Sequence, residues 1–84
     1  MRHITPERLD AIEGLLASAR GLPGLVERKR GVFYKGSRAF LHFHEHGDDE
    51  IYADVRFGSD FERLRVTTKA ERREFLRRLA RAIS

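Results

Sequence analysis

Glycine-centred turns divide the middle of the chain into short segments of strand length, and this pattern constrains the fold more than any other feature. Gly36-Ser37 and Gly58-Ser59 each provide a two-residue hairpin turn with Gly first, which is typical of a type II′ turn. Gly31 and the loop Gly47-Asp48-Asp49 provide two further breaks. The pattern predicts an antiparallel meander with strands at Leu25–Arg30, Val32–Lys35, Arg38–His46, Glu50–Phe57 and Asp60–Val66.

Amphipathic helices are predicted on both sides of these strands. Thr5 and Pro6 form a helix start, with a capping oxygen followed by Pro at the first helical position, and we expect the helix to end at Gly21 as a left-handed cap. Thr68 and Glu71 have the spacing of a capping box at the start of the last helix. The expected fold is one α+β domain over residues 1–84: an N-terminal helix, a four- to five-stranded antiparallel meander sheet and a C-terminal helix, with both helices packed on one sheet face.

The composition limits the kinds of site that this chain can carry. At 84 residues it is too short for two ordinary domains, and because it has no cysteine, disulfides, thiolate metal sites and cysteine nucleophiles are excluded. Neither a leader-like apolar segment nor a run long enough to cross a bilayer occurs, so we expect a cytoplasmic protein without membrane contact.

Strand alternation assigns the side chains to two sheet faces. A three-residue loop at 47–49 pairs His42 with Asp54 and His44 with Tyr52, and a one-residue slip would mix polar and apolar residues on one face. The Gly-Ser turns place the following opposite one another: Val32 and Leu41, Tyr34 and Ala39, Ala53 and Leu64, Ile51 and Val66 on the core face, and Asp54 and Arg63, Tyr52 and Arg65 on the other.

The second face is the predicted binding face. Its polar candidates are His42, His44, His46, Tyr52, Asp54, Arg63 and Arg65. The same alternation places three aromatic residues beside them, namely Phe33, Phe40 and Phe61. If these rings are exposed, a second copy of the chain would bury them, and this predicts a homodimer.

Two histidines and an aspartate on this face suggest a metal site. His42 and His44, two residues apart on one strand, point the same way, and Asp54 lies opposite His42. Two imidazoles and one carboxylate would hold a divalent ion with open positions. However, Arg63 competes for Asp54 and repels a cation, so the alternative is a solvated polar face with a His–Asp–Arg pairing and no cofactor.

Basic residues form two clusters that could bind nucleic acid. The net charge is +4, and arginine is concentrated in the last helix. The candidates for phosphate contact are Arg28, Lys29, Arg30, Arg73, Arg77 and Arg81. The one aromatic residue of this basic helix, Phe75, belongs to its apolar stripe, so this prediction depends on charge alone.

Together these features favour a non-enzymatic binding or accessory module that acts through the His-rich face or a dimer interface built from it. No Gly-x-Ser-x-Gly elbow and no Gly-rich phosphate loop occur. Nucleic-acid binding and divalent-metal binding are the alternatives.

Short motifs resemble those of two protein families. Leu22-Pro23-Gly24-Leu25 and the paired strands after it resemble the YjbR/MmcQ-like family, which implies a fold akin to frataxin and CyaY. Gly36, Arg38, His42-x-His44 and Asp54 resemble the small luciferase-associated domain family. Neither resemblance implies a catalytic residue, and the chain lacks the C-terminal extension expected of YjbR-like proteins, to which a DNA-binding role is attributed.

Overall fold

A computed structural model describes residues 2–83 of the chain. Within this range the chain forms three helices and six strands, and the fold belongs to the α+β class as predicted. The elements in chain order are β1 (Arg2–His3), α1 (Pro6–Ala11), α2 (Glu13–Arg20), β2 (Leu25–Lys29), β3 (Val32–Lys35), β4 (Arg38–His46), β5 (Glu50–Val55), β6 (Glu62–Arg65) and α3 (Lys69–Ile83).

The predicted N-terminal helix is two short helices. Thr5 caps α1 as expected, because its Oγ1 accepts a hydrogen bond from the backbone N–H of Arg8. Ile12 leaves the helical region, with φ −113° and ψ 22°, and α2 starts again at Glu13. The expected left-handed cap at Gly21 is wrong, since its φ is −77° and the left-handed residue of this turn is Gly24.

Helix α3 begins with the predicted capping box. The backbone N–H of Glu71 donates to Thr68 Oγ1 at 3.1 Å, and the Glu71 carboxylate accepts from the backbone N–H of Thr68 at 2.9 Å. These two bonds satisfy backbone donors that an open helix end would leave unpaired. Phe75 and Leu79 are the buried residues of this helix and attach it to the sheet.

The sheet is an antiparallel meander in the order β2-β3-β4-β5-β6, with β1 added beside β4. Strand β4 is the longest and lies in the centre. On one side it pairs first with β3, up to Leu41, and then with β1, from His44. The sequence did not predict β1, so the sheet has six strands rather than the four or five expected.

The register around the central strands is confirmed. His42 lies opposite Asp54, His44 opposite Tyr52, and Asp54 opposite Arg63 on its other side. The remaining predicted pairs between β4 and β5 and between β5 and β6 that fall inside the strands are also present: His46 and Glu50, Phe43 and Ala53, Leu41 and Val55, Ala53 and Leu64, Tyr52 and Arg65.

The predicted register between β3 and β4 is wrong beyond the turn. Tyr34 pairs with Ala39, but Phe33 then pairs with Leu41, so Phe40 is an extra residue on β4. Such a bulge reverses the alternation on one side of it. Leu41 therefore faces Phe33 rather than Val32, and Phe33 is fully buried in the core.

One of the two predicted Gly-Ser turns is present and the other is not. Gly36 has φ +65° and Ser37 does not have a positive φ, as a type II′ turn with Gly first requires. Gly58 has no positive φ, and residues 56–61 form a longer connection between Val55 and Glu62.

All three helices contribute to a core on one face of the sheet, which leaves the other face open. The buried residues of this core are Leu9, Ile12, Leu15, Leu16, Ala19, Phe33, Phe40, Leu41, Phe43, Ile51, Ala53, Val55, Val66, Phe75 and Leu79. The face without helices carries the predicted polar residues and is called the open face below. None of the helices within residues 2–83 has the length and hydrophobicity to cross a membrane.

Candidate metal centre on the open face

Asp54 is the centre of the polar cluster on the open face. It is 7% exposed, and Arg63 holds it with two bonds, from Nε to Oδ1 at 2.8 Å and from Nη2 to Oδ2 at 3.0 Å. His44 Nε2 lies 3.1 Å from Oδ2. The Arg63 hydrogen bonds outweigh partial burial and hold the pKa of Asp54 below its ordinary value, so the carboxylate is charged at neutral pH.

His42 and His44 lie side by side because they are two residues apart on β4. Their ring centroids are 4.9 Å apart, with one ring edge toward the other. The pKa of His42 is lowered, mainly by partial burial and secondly by electrostatic repulsion from the neighbouring His44. His42 is therefore neutral at neutral pH, which is the form that binds metal ions.

Three potential metal ligands converge at this point. One donor atom each from His42, His44 and Asp54 can be chosen so that all three lie within 4.8 Å of one another. The predicted metal-site residues are thus brought together, with Arg63 beside them as the sequence also predicted.

His3 is a neighbour of this cluster that sequence reasoning missed. Strand β1 places it opposite His44, and the two ring centroids are 5.9 Å apart. In the sequence only the presence of a histidine at position 3 pointed to it. Strand β1 itself was not predictable, because two residues are too few to show a periodic pattern.

Glu45 is the second residue that was missed, and it explains why β1 lies where it does. Its side chain is on the helix side of β4 and is 1% exposed. The backbone N–H of Thr5 donates to Oε2 at 2.8 Å, and Arg2 donates from Nε to Oε1 at 3.0 Å. The Glu45 carboxylate, which is remote in sequence, thus accepts a hydrogen bond from the backbone N–H of the N-cap residue Thr5. In a capping box the Glu or Gln at helix position N3 usually accepts this bond.

The other predicted open-face residues do not join the cluster. The hydroxyl group of Tyr52 donates to Glu50 at 2.9 Å, and Arg65 pairs with Glu71 of α3 at 2.7 Å. His46, the last residue of β4, is exposed. The candidate centre is therefore smaller than the predicted face.

The aromatic surface predicted for dimerisation is mostly covered by the chain itself. Phe33 and Phe40 are 0% and 4% exposed, so their predicted place on an exposed face is wrong. Phe61 is 39% exposed, and its ring centroid lies 5.0 Å from that of His42 and 4.3 Å from the guanidinium carbon of Arg56. A homodimer stays a prediction, but of the three rings on which it was based only that of Phe61 is exposed.

The basic residues considered for nucleic acid are partly neutralised. Arg30 pairs with Asp10 at 2.8 Å and with Glu13 at 2.9 Å. Arg28 stacks over the ring of Tyr34. On α3, Arg77 pairs with Glu74, while Arg73 and Arg81 lie on exposed positions of the same helix, and Lys29 is exposed at the end of β2. Nucleic-acid binding stays a prediction.

Comparison with known proteins adds no assignment: no family model, no curated protein and no solved structure matches this chain. The resemblances to the luciferase-associated and YjbR-like families are therefore untested.

Proposed function

We propose that this protein is a binding module that takes up a divalent transition-metal ion, with zinc as the reference ion, on the open face of its sheet. His42, His44 and Asp54 are the proposed ligands. The observation that carries the proposal is the convergence of their donor atoms within 4.8 Å.

The distances suit zinc after a small adjustment. Ligand bonds of about 2.0–2.1 Å in a tetrahedral site place the donor atoms roughly 3.3 Å apart. One pair already has this spacing, since His44 Nε2 and Asp54 Oδ2 are 3.1 Å apart, and all three donors lie within 4.8 Å of one another. The remaining donor pairs would need to approach one another by up to about 1.5 Å when the ion binds.

The three ligands determine the class of ion and leave part of its coordination sphere open. Two imidazoles and a carboxylate suit zinc and its neighbours, whereas magnesium and calcium prefer oxygen ligands alone. Three protein ligands leave at least one position of a four-coordinate ion for water or a further ligand. The proposed role is therefore to hold an ion that remains accessible from the solvent.

A zinc titration followed by calorimetry at pH 7.5 tests the proposal. We expect one ion per chain, and His42→Ala, His44→Ala or Asp54→Asn should each weaken binding by about tenfold or more, because each removes a ligand. His46→Ala is the matched control, since His46 is on the same strand but exposed at its end, and it should bind like the unmodified protein. Absence of saturable binding by the unmodified protein, or an equal loss in the control, would refute the proposal.

Arg63 should limit the affinity of the site, because its charge repels the ion. Replacement with methionine, which keeps the length of the side chain, is expected to raise zinc affinity roughly three- to tenfold, the size of a charge interaction at a half-exposed position. Arg65→Met is the control, since Arg65 is paired with Glu71. A fall in affinity for Arg63→Met would contradict this prediction and would mean that Arg63 holds Asp54 in its ligand position.

A further inference from the structure

A cavity of about 670 Å³ lies in the sheet beside the histidines, where the partner of β4 changes from β3 to β1. Its position follows from the pairing. Strand β3 ends its contact at Leu41 and β1 begins at His44, so His42 and Phe43 lie at the gap between the two partners. A volume of this size is in the usual range of small-molecule sites, which is about 300–1,000 Å³.

One part of the cavity wall is apolar. It comes from three separate segments: the stretch from the end of β1 into helix α1, strand β3 and strand β4. The apolar residues of the wall are Ile4, Pro6, Leu9, Val32 and Phe43. Such a wall would shield the hydrocarbon part of a ligand from water, which is the main source of affinity for a small molecule.

The remaining side chains of the wall are basic or imidazole groups. They are His3, Lys29, Arg30, His42 and His44, and no carboxylate from residues 2–83 lines the cavity. Arg30 is already neutralised by Asp10 and Glu13. Lys29 is exposed at the end of β2 and has no ion pair within residues 2–83, so its ammonium group is the uncompensated positive charge of the wall.

From the combination of one unpaired ammonium group, imidazole groups and an apolar wall, we infer that this cavity binds a small organic monoanion with an apolar body, such as a monocarboxylate. Its anionic group lies toward Lys29 and the histidines, and its apolar body lies against Ile4, Val32 and Phe43. A carboxylate is an acceptor only, so it matches a rim that supplies hydrogen-bond donors. This inference goes beyond metal binding, because Lys29 takes no part in the proposed metal centre.

Nuclear magnetic resonance titration with octanoate and, separately, with phenylacetate tests the inference and distinguishes an aliphatic from an aromatic body. The titrations are made in EDTA at pH 7.5 to keep metal ions out of the result. We expect saturable shifts of the amide signals of residues 29–32 and 42–44 with at least one of the two anions. Neutral octanamide should bind more weakly than octanoate, because it lacks the charge that Lys29 pairs with.

Two variants test separately the contribution of the Lys29 charge and that of the apolar cavity wall to anion binding. Lys29→Gln should weaken binding of the anion about three- to fivefold, the effect of one exposed ion pair, and should leave zinc uptake unchanged. Lys69→Gln, at the start of α3, is the matched control and should have no effect on the anion. Ile4→Trp should fill the cavity and abolish binding.

The inference is overturned if neither anion causes saturable shifts at these amides, if octanamide binds as tightly as octanoate, or if Lys29→Gln and Lys69→Gln behave alike. Because zinc uptake is measured separately, failure here and failure of the metal proposal are distinguishable.

Discussion

Phe33→Ala is expected to lower the free energy of unfolding by about 3–5 kcal/mol, the usual cost of truncating a buried phenylalanine. Phe33 is 0% exposed and packs opposite Leu41 in the core beneath the sheet. The alternation predicted from sequence placed it on the open face, where the same substitution would cost little. The measured value therefore decides between the two placements.

Urea unfolding is the appropriate measurement, with Phe61→Ala as the matched control. Phe61 is 39% exposed, so its truncation should cost about 1 kcal/mol or less. Domains of this size have only about 5–15 kcal/mol of stability, and the alanine variant could be largely unfolded. Phe33→Leu, with an expected loss of about 1–2 kcal/mol, then keeps the comparison measurable. Equal, small losses at Phe33 and Phe61 would contradict the bulged register.

The proposed metal centre follows from the register of β4, β5 and β6, which the sequence specifies correctly. A three-residue loop at 47–49 leaves one pairing of β4 with β5 in which all apolar residues share a face. This pairing places His42 opposite Asp54. The position of Arg63 follows in the same way from the pairing of β5 with β6, although the connection at 56–61 is not the predicted turn.

The bulge at Phe40 was not predictable from the same rules. In Ala39-Phe40-Leu41 every residue is apolar, so alternation does not indicate which residue is the extra one. A glycine often marks a bulge, and this segment has none. The structure buries both Phe40 and Leu41, so packing rather than a local signal selects the register here.

The N-terminal strand was missed because two residues are too few to show a pattern. A clue was present at Glu45, which alternation places on the same face as Leu41 and Phe43. A carboxylate on a core-facing position requires partners, since a buried charge without them is costly. Those partners are Arg2 and Thr5, and they bring β1 and His3 to β4.

Glu45→Leu should release β1 from the sheet while leaving the rest of the fold in place. Leucine fills the buried site, but the backbone N–H of Thr5 and the side chain of Arg2 lose their acceptor. Amide hydrogen exchange of residues 2–5 is expected to approach the rate of an unfolded chain, whereas amides shared by β4 and β5 stay protected. Arg2→Ala is the control: it removes only the exposed partner, so the amide of Thr5 should keep most of its protection.

Acidification should release β1 from the unmodified protein in the same way. The Thr5 backbone N–H, supported by Arg2, holds the pKa of Glu45 below its ordinary value of 4.5. The folded state therefore binds this proton less readily than the released state, so the stabilisation is complete above about pH 4.5 and is lost as the pH falls through the lowered pKa.

Protection factors of residues 2–5, which are corrected for the intrinsic exchange rate, should decline below about pH 4.5 in the unmodified protein. In Glu45→Leu they should be low at every pH. Constant protection of these amides from neutral pH down to the acid unfolding of the sheet would show that a group other than Glu45 holds β1, and His3 with it, beside the proposed metal centre.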